Sequence, residues 1–470
     1  MGAGAAGQAL LRALRHDATA DVTPVGILDD NDILFRVCGL PVLGGTDTIG
    51  RAAARTGARV MLLAIPSLPP TRAADLIERS WAAGLAVRTL HPGGCGVRDL
   101  RDMRLSQVLG RDEIAVGGKT AGRLVADRRV LVTGAGGAIG SALCRRLMAQ
   151  GPAMLCMVDH DPAALDRLGL EIGGLGGPAS ERTMLVRADV RDRDAITAVF
   201  EEVRPALVFH AAQRARPGVL ERDPCAAVLT NVRGTRYVVE AAVRCGVERL
   251  TLISTDAAAD PASVFGATKR LAELVTQSHA GGATRFAAVR LGEVVGAPGS
   301  PMSALAGRMV RNQVITIAHP DLARRFMTVE ESAGLVLEAA GLATVAETFA
   351  LDVGRPVPVV DAVHRYAERL RVPAVSIRFG GLGPGERLAA RPFAAAERPL
   401  PTAHPKVLAT GPAPVPAAAP LSGPLSGPAP APLPRLMDSL CLVAARGDEE
   451  ATRVMLRRLL PEYRPAVRHA

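Results

Sequence analysis

Residues 133–140 read Thr133-Gly134-Ala135-Gly136-Gly137-Ala138-Ile139-Gly140, a spacing able to hold a phosphate-bearing ligand. Gly134 permits a tight turn, Gly137 lets a pyrophosphate approach the backbone, and Gly140 lets the following helix pack on the preceding strand. Ala138 and Ile139 open that helix, whose free N–H groups carry partial positive charge toward an anion. The apolar run Arg129 to Thr133 enters the turn as a strand. A second apolar strand, Met154 to Val158, ends at Asp159, where a carboxylate would receive an adenosine ribose and favour NAD over NADP. Arg145 and Arg146 follow the loop and could meet a 2′-phosphate, which leaves NADP open. Asp189 and Val190 close the next strand and suit the adenine edge, and Ala211 and Ala212 after His210 pass beside the same cofactor. Asn231, opening a later helix, completes this set.

Other reactive side chains stand where strands end. Leu250 to Ser254 leads into Thr255 and Asp256, and Phe265 and Lys269, four residues apart, share one face of the next helix. Strand, helix and strand alternate throughout residues 129–395, which predicts an α/β fold with a doubly wound parallel sheet and ligands at the carboxyl strand ends. Residues 1–111 show the same rhythm, with strands expected at Val25–Leu28, Val60–Ile65 and Val87–Leu90. This predicts a second Rossmann-like domain in tandem. Its glycine loop, Gly2 to Gly7, has no strand ahead of it, so the domain is expected to be truncated and to hold no dinucleotide. Residues 112–128 connect the two domains. Residues 396–434 are rich in Pro and Ala and read as a flexible or polyproline linker. Residues 435–470 read as two short helices that must dock elsewhere to bury their apolar faces.

Composition narrows the classes of function. The 470 residues carry a formal charge of +10, almost all of the cations being Arg; the lysines are Lys119, Lys269 and Lys406. The charge is dispersed and aromatic residues are 3% of the chain, so neither the basic stripe nor the stacking platform of a nucleic-acid binder is present. Seven scattered cysteines without a C-x-x-C pair suit reduced thiols in the cytoplasm. No histidine or cysteine pair has metal-ligand spacing, and no apolar run is long enough to span a bilayer. Peripheral association with the inner face of the membrane is compatible with the charge, and a homo-oligomer is expected.

The second domain resembles the extended short-chain dehydrogenase/reductase superfamily, and within it the polysaccharide-biosynthesis (CapD-like) family of nucleotide-sugar 4,6-dehydratases and epimerases. The resemblance rests on VLVTGAGGAIGSALCRRL (130–147), VFHAAQRARPGVLERDP (208–224), TNVRGT (230–235), GVERLTLISTD (246–256), FGATKRLAE (265–273), HPDLARRFMTVEESAGLVLEA (319–339) and GPGERL (383–388). LGRDEI (109–114) and the motifs GILDDND, PVLGG and AIPS upstream resemble the Rossmann-like domain that such proteins carry before the catalytic one. HPKV (404–407) and LLPEYRP (459–465) resemble their tail. Long members of the family begin with transmembrane helices, so this chain reads as a short-start member.

The resemblance implies a nicotinamide cofactor that takes a hydride from C4 of a nucleotide-sugar, loss of water across C5–C6, and return of the hydride at C6. Lys269 then matches the lysine on the nicotinamide ribose, Asp256 the acid, and Thr255 its neighbour in the acid motif. Arg214, able to hold a phosphate or sugar oxygen, Arg324 and Glu386 match substrate-binding positions of the family. Several positions depart from the family. Phe265 stands at the superfamily tyrosine and has no ionisable group. Ala257 stands where a lysine base is expected. Arg214 replaces a lysine and stays protonated. Glu293 replaces an asparagine amide with a carboxylate and becomes a candidate substitute base. Arg387 replaces a lysine, and the motif around it lacks an arginine expected near the diphosphate. Retained dehydration, a changed sugar-nucleotide reaction, and a paralogue that binds without turnover all remain open from sequence.

Overall fold

The computed structural model describes residues 2–16, 22–31, 35–65, 68–90, 100–103, 111, 114, 116, 119–173, 180–295, 305, 308–309, 313–370, 372, 374–410 and 433–465. The expected linker lies mostly outside these residues. The first domain begins with α1 (Ala5–His16), α2 (Ile49–Thr56) and β1 (Val60–Leu63). It continues through α3 (Pro70–Ala82), β2 (Ala86–Leu90) and β3 (Leu100–Met103). β1 and β2 pair in parallel, but β3 runs antiparallel to β2, so this sheet is mixed rather than parallel. The segment Val25–Leu28 does not form the expected ladder strand; it makes one bridge, Ile27 with Val42.

After α4 (Lys119–Val125), the second domain builds β4 (Arg129–Thr133), α5 (Ala138–Met148), β5 (Met154–Asp159), α6 (Pro162–Gly173) and β6 (Thr183–Arg187). α7 (Arg193–Val203), β7 (Leu207–His210), α8 (Thr235–Arg244), β8 (Arg249–Thr255), α9 (Val264–Gln277) and β9 (Arg285–Leu291) follow. Last come α10 (Val329–Leu342), β10 (Ala346–Leu351), α11 (Val359–Leu370), β11 (Leu400–Pro401), β12 (Val407–Thr410), α12 (Leu433–Ala445) and α13 (Glu449–Leu459). The nine-stranded sheet has the order β11-β12-β10-β9-β8-β7-β4-β5-β6. From β10 to β6 every pairing is parallel. The parallel strands are apolar on both faces, as burial beneath two helix layers requires: Val130, Leu131 and Val132 are fully buried.

A domain boundary at residue 395 would cut this sheet, because β12 pairs antiparallel with β10 through Val407–Thr410. The tail helices also belong to it. Leu440, Leu456 and Leu460 are fully buried in the core that contains α9, and the N–H of Arg464 donates to the carbonyl of Pro261. The connector docks through the N–H of Ile114, which donates to Glu331 on α10 at 2.7 Å, and Arg111 just ahead of it grips both oxygens of Glu331 and the carbonyl of Phe326. Glu331 also completes a capping box with Thr328 at the start of α10. Among the described residues, no helix is long and apolar enough to cross a membrane.

Glu273 on α9 and Arg290 on β9 form an ion pair at 2.7 Å with no side-chain exposure. Arg290 also meets Glu397 at 2.6 Å, and Arg270 and Ser254 add contacts to Glu273. Burial opposes the charge of Glu273, yet Arg290 and these donors hold its carboxyl down at about 2. Arg290→Met should therefore destabilise the protein by about 3–5 kcal/mol by leaving a buried carboxylate unpaired. The double variant Arg290→Met/Glu273→Met should lose less than the single one. Urea midpoints for both test this, and an equal or larger loss in the double variant would show that the pair is not what costs the stability.

Candidate active site

The cofactor-type cleft lies at the carboxyl ends of β4, β5 and β7. Its volume is about 590 Å³, and its walls include Gly134, Gly137, Asp159, Asp189, Val190, Ala211, Ala212 and Arg214. The sheet order changes direction here: β4 leads to β5 on one side, while β7 lies on its other side. A cleft at this switch point follows from the fold. Gly134 has φ +69°, and a Cβ there would lie 2.5 Å from the N of Ala212. At Gly136 a Cβ would lie 2.5 Å from Ala164 Cβ and 3.2 Å from Asp159 Oδ2. Sequence reasoning did not single out Gly136; its place between two other glycines was the available signal. Gly137 precedes α5 and no side chain caps the helix, so the first-turn N–H groups of Ala138 and Ile139 point toward an anion site.

Asp159 is buried, and its carboxylate accepts from the N–H of Gly136 at 2.9 Å and of Asp161 at 3.0 Å. This ties the acid to the glycine loop and leaves further lone pairs for a hydroxyl. Asp189 is held in a bidentate pair with Arg191, which keeps its carboxyl below the usual range. Arg145 is engaged with Glu171 and the carbonyl of Ala82, and Arg146 with the carbonyl of Val116.

Asn231 does not line the cleft. It is fully buried in a π-helical segment, Val228–Gly234. Its Oδ1 accepts from the N–H of Arg214, and its Nδ2 donates to the Arg214 carbonyl and to Thr268 Oγ1. It therefore shapes the loop carrying Ala211 to Arg214 rather than touching a cofactor. A second positioning set went unnoticed in the sequence: His210 is buried between Thr133 Oγ1 at 2.6 Å and Thr235 Oγ1 at 3.0 Å. Burial, together with the nearby Lys269, pushes His210 down to about 3, so it is neutral.

Lys269 is almost fully buried on α9, and its Nζ donates to the Ile253 carbonyl at 2.6 Å. Burial drives its pKa down to about 7, against the pull of Glu273 one turn away. Phe265 is buried on the same helix. Thr255 caps the turn after β8 by accepting from the N–H of Ala257, and its hydroxyl lies 3.3 Å from Asp256 Oδ1.

Asp256 follows β8 and Glu293 follows β9, and the two strands are neighbours. Burial raises Asp256 to about 6, against Thr255, Arg324 and Arg325. Burial raises Glu293 to about 7; Arg324 opposes the shift and Asp256 adds to it. Arg324 thus opposes the rise at both carboxyls, and Asp256 adds to the rise at Glu293. Sequence reasoning missed Arg325, whose signal was its pairing with Arg324 in one motif. Arg324 itself donates to the carbonyls of Ala323, Arg387 and Leu388. Glu386 turns inward on its own loop, accepting from the N–H of Gly383 at 2.8 Å, while Arg387 pairs with Asp260 at 2.7 Å. The structure gives Glu386 a turn-capping role, and the turn reaches the site through Arg324. Ala257 presents no ionisable group.

Residues 130–411 match the family described as polysaccharide biosynthesis protein. The chain belongs to this family. The probable polysaccharide biosynthesis protein EpsC of Bacillus subtilis is 32% identical over 399 residues, covering 83% of this chain and 67% of that protein. The capsular polysaccharide biosynthesis protein CapD of Staphylococcus aureus is 30% identical over 401 residues, with the same coverage of 83% and 67%. A UDP-N-acetylglucosamine 4,6-dehydratase (inverting) of Campylobacter jejuni is 34% identical over 116 residues, covering 24% of this chain and 34% of that protein. Among solved structures, Pen from Bacillus thuringiensis is similar, with a TM-score of 0.56 and 26% identity, covering 60% of this chain and 86% of that one. The family match extends past residue 395 to include β12, in agreement with the sheet.

The carboxyl pair generates a pH dependence. Both folded-state pKa values lie above the ordinary carboxyl range, so between about pH 4 and 7 the folded protein binds more protons here than the unfolded chain does. These groups therefore subtract stability as pH rises through that window. Relative to Asp256→Asn/Glu293→Gln, the native protein should lose stability between pH 4.5 and 7.5, read from urea midpoints. Parallel pH profiles for the two proteins would contradict this assignment.

Proposed function

We propose that the protein is an NAD-dependent nucleotide-sugar 4,6-dehydratase or epimerase, acting on a substrate of the UDP-N-acetylglucosamine class. The observation that carries this reading is the cofactor-type cleft at the carboxyl ends of β4, β5 and β7, with Asp256 and Glu293 following the neighbouring strands β8 and β9. The residues of the cleft fit a dinucleotide: Gly137 lines it without a side chain at the start of α5, and Asp159 keeps acceptor capacity for a ribose. Asp159 repels a 2′-phosphate, while Arg145 and Arg146 are spent on other partners, so NAD is preferred over NADP. When bound, NAD would supply the hydride acceptor for C4 of the sugar and the donor for C6.

The chain's own groups then divide the proton work. Asp256, protonated near neutrality more readily than an ordinary carboxyl, gives a proton to the departing C6 hydroxyl. Glu293 takes the C5 proton that a lysine at position 257 would otherwise take. Its raised pKa suits that task at neutral pH. Lys269, buried and with its pKa lowered to about 7, orients the nicotinamide ribose and in its neutral form takes the C4 hydroxyl proton released with the hydride. Glu293 returns its proton to C5 when the hydride adds at C6. Arg324 and the exposed Arg214 face the diphosphate. The six described cysteines are free thiols, which suits a reducing cytoplasm. A second reading, binding without turnover, draws on the substrate-side departures from the family, among them Phe265, Ala257 and Arg214.

Two predictions follow from these roles. Gly137→Glu should abolish NAD binding by filling the pyrophosphate space with a like charge; unchanged affinity by calorimetry would refute the cofactor site. Incubated with UDP-N-acetylglucosamine, the native protein should form a product lighter by one water by mass spectrometry. Glu293→Gln should lower that rate by about 10²–10⁴ while nucleotide-sugar binding persists, and Ala257→Lys should restore part of it in that background. Native turnover indifferent to Glu293→Gln would remove Glu293 as the base. Binding with no turnover in any of these proteins would establish the second reading.

A further inference from the structure

The cofactor-type cleft occupies the carboxyl ends of the central strands. At their amino ends lies a second concavity, of about 560 Å³. Its walls carry Arg123 of α4, Arg128 ahead of β4, Arg249 at the start of β8 and Arg285 at the start of β9. Among the described wall residues one is acidic, Glu248, and it pairs with Arg128. The two concavities share no wall residue.

The cluster is a consequence of register. β7, β8 and β9 run parallel, and Leu207, Arg249 and Arg285 are partners in one row across them. Side chains in one row emerge on the same face of a sheet, so two arginines leave neighbouring strands side by side. Like charges in that relation destabilise a sheet. Arg249 turns to the end of α10, where it donates to the carbonyls of Ala340 at 3.1 Å and Ala343 at 2.7 Å. Those acceptors carry partial charge only. Arg123 and Arg285 have no side-chain acceptor among the described residues. Glu347 also acts on Arg249, but its oxygens are engaged by the N–H groups of Thr344 and Val345. Burial, with Arg285 and Arg128 nearby, makes the charge of Arg249 harder to hold and moves its pKa below the usual arginine value.

A concave surplus of guanidinium groups has a definite complement. Each group presents a planar fork of N–H donors that matches phosphate oxygens in pairs. A lone carboxylate satisfies one such fork, whereas a phosphate or diphosphate offers more oxygens and more charge. We propose that this concavity is a second anion site, taking a phosphate- or diphosphate-bearing ligand on Arg123, Arg249 and Arg285. Bound there, the anion would join α4, β8 and β9 through a common counter-charge and turn the repulsion between Arg249 and Arg285 into attraction. A free phosphate compound and the headgroup of an anionic lipid offer this same chemistry.

The test titrates inorganic pyrophosphate by calorimetry into the full chain carrying Gly137→Glu, which keeps the probe out of the cofactor-type cleft. Arg285→Ser and Arg123→Ser, each added to that background, should weaken binding by about tenfold or more, as loss of a charge-assisted fork implies. Arg446→Ser, which removes the same charge from the exposed end of the tail helix α12, should not. Without the probe, Arg285→Ser should leave the thermal midpoint unchanged or raise it. Sedimentation with phosphatidylcholine vesicles, with and without phosphatidic acid, separates the two sources. Capture by the phosphatidic acid vesicles that is lost in Arg285→Ser identifies a headgroup; pyrophosphate binding without capture identifies a soluble ligand. Binding of neither probe, or binding that survives Arg123→Ser and Arg285→Ser as it survives Arg446→Ser, would overturn the proposal. A midpoint lowered by Arg285→Ser in the absence of ligand would also overturn it, because the arginine would then serve the fold.

Discussion

The buried pair between Glu273 and Arg290 is the constraint on which the catalytic half of the molecule depends. Two charges with no solvent can be tolerated only if each finds its partner and its remaining hydrogen bonds. Here those partners come from α9, β8, β9 and the segment that leads to β11. The pair therefore fixes the rotation and height of α9 over the sheet. Lys269 sits one turn before Glu273 on that helix, so the same contact that sets the helix sets the ammonium against the Ile253 carbonyl. It also sets its charge: Glu273 opposes the burial that drives Lys269 toward neutrality.

Electrostatics at the two strand ends follow from this frame. Asp256 and Glu293 follow the neighbouring strands β8 and β9, and Arg324 arrives from a separate short strand that the 383–388 turn holds in place. Neither carboxyl is paired in the way Glu273 is, which is why burial raises their pKa values while that of Glu273 falls. One protein thus contains both outcomes of burying a carboxylate. The fully satisfied one is structural, and the partly satisfied two retain a proton near neutral pH and are suited to proton transfer.

Much of this was legible in the sequence because glycine spacing and strand-end acids are local signals. The loop at Gly134, the carboxylate at Asp159 and the alternation of strands and helices all report on backbone geometry within a few dozen residues. Asn231 misled for a reason of the same kind: its motif marks it as important, but only the tertiary fold shows its amide turned to Arg214 and Thr268. Arg290 was invisible, since a charge inside the run Arg285–Leu291 reads as an interruption until Glu273 and Glu397 are placed beside it. Strand β12 was hidden by the Pro- and Ala-rich sequence around it. The strand expected at Val25–Leu28 has the right residues, but a ladder also needs a neighbour on which to form. Its failure to become one is a property of the surrounding space.

The tail helices bear on how the polypeptide behaves when its backbone is interrupted. α12 and α13 lie in the same apolar core as α9, and Arg453 donates to the carbonyl of Glu221 while Glu221 accepts from the N–H of Val264 at the start of α9. The tail thus props the helix that carries Lys269 without approaching the cleft. Residues 411–432 supply the covalent link between β12 and this prop. While that link is intact, docking is intramolecular and indifferent to dilution. Once it is cut, the same apolar contacts must hold two separate chains, and the integrity of the catalytic half becomes a matter of mass action, dependent on protein concentration.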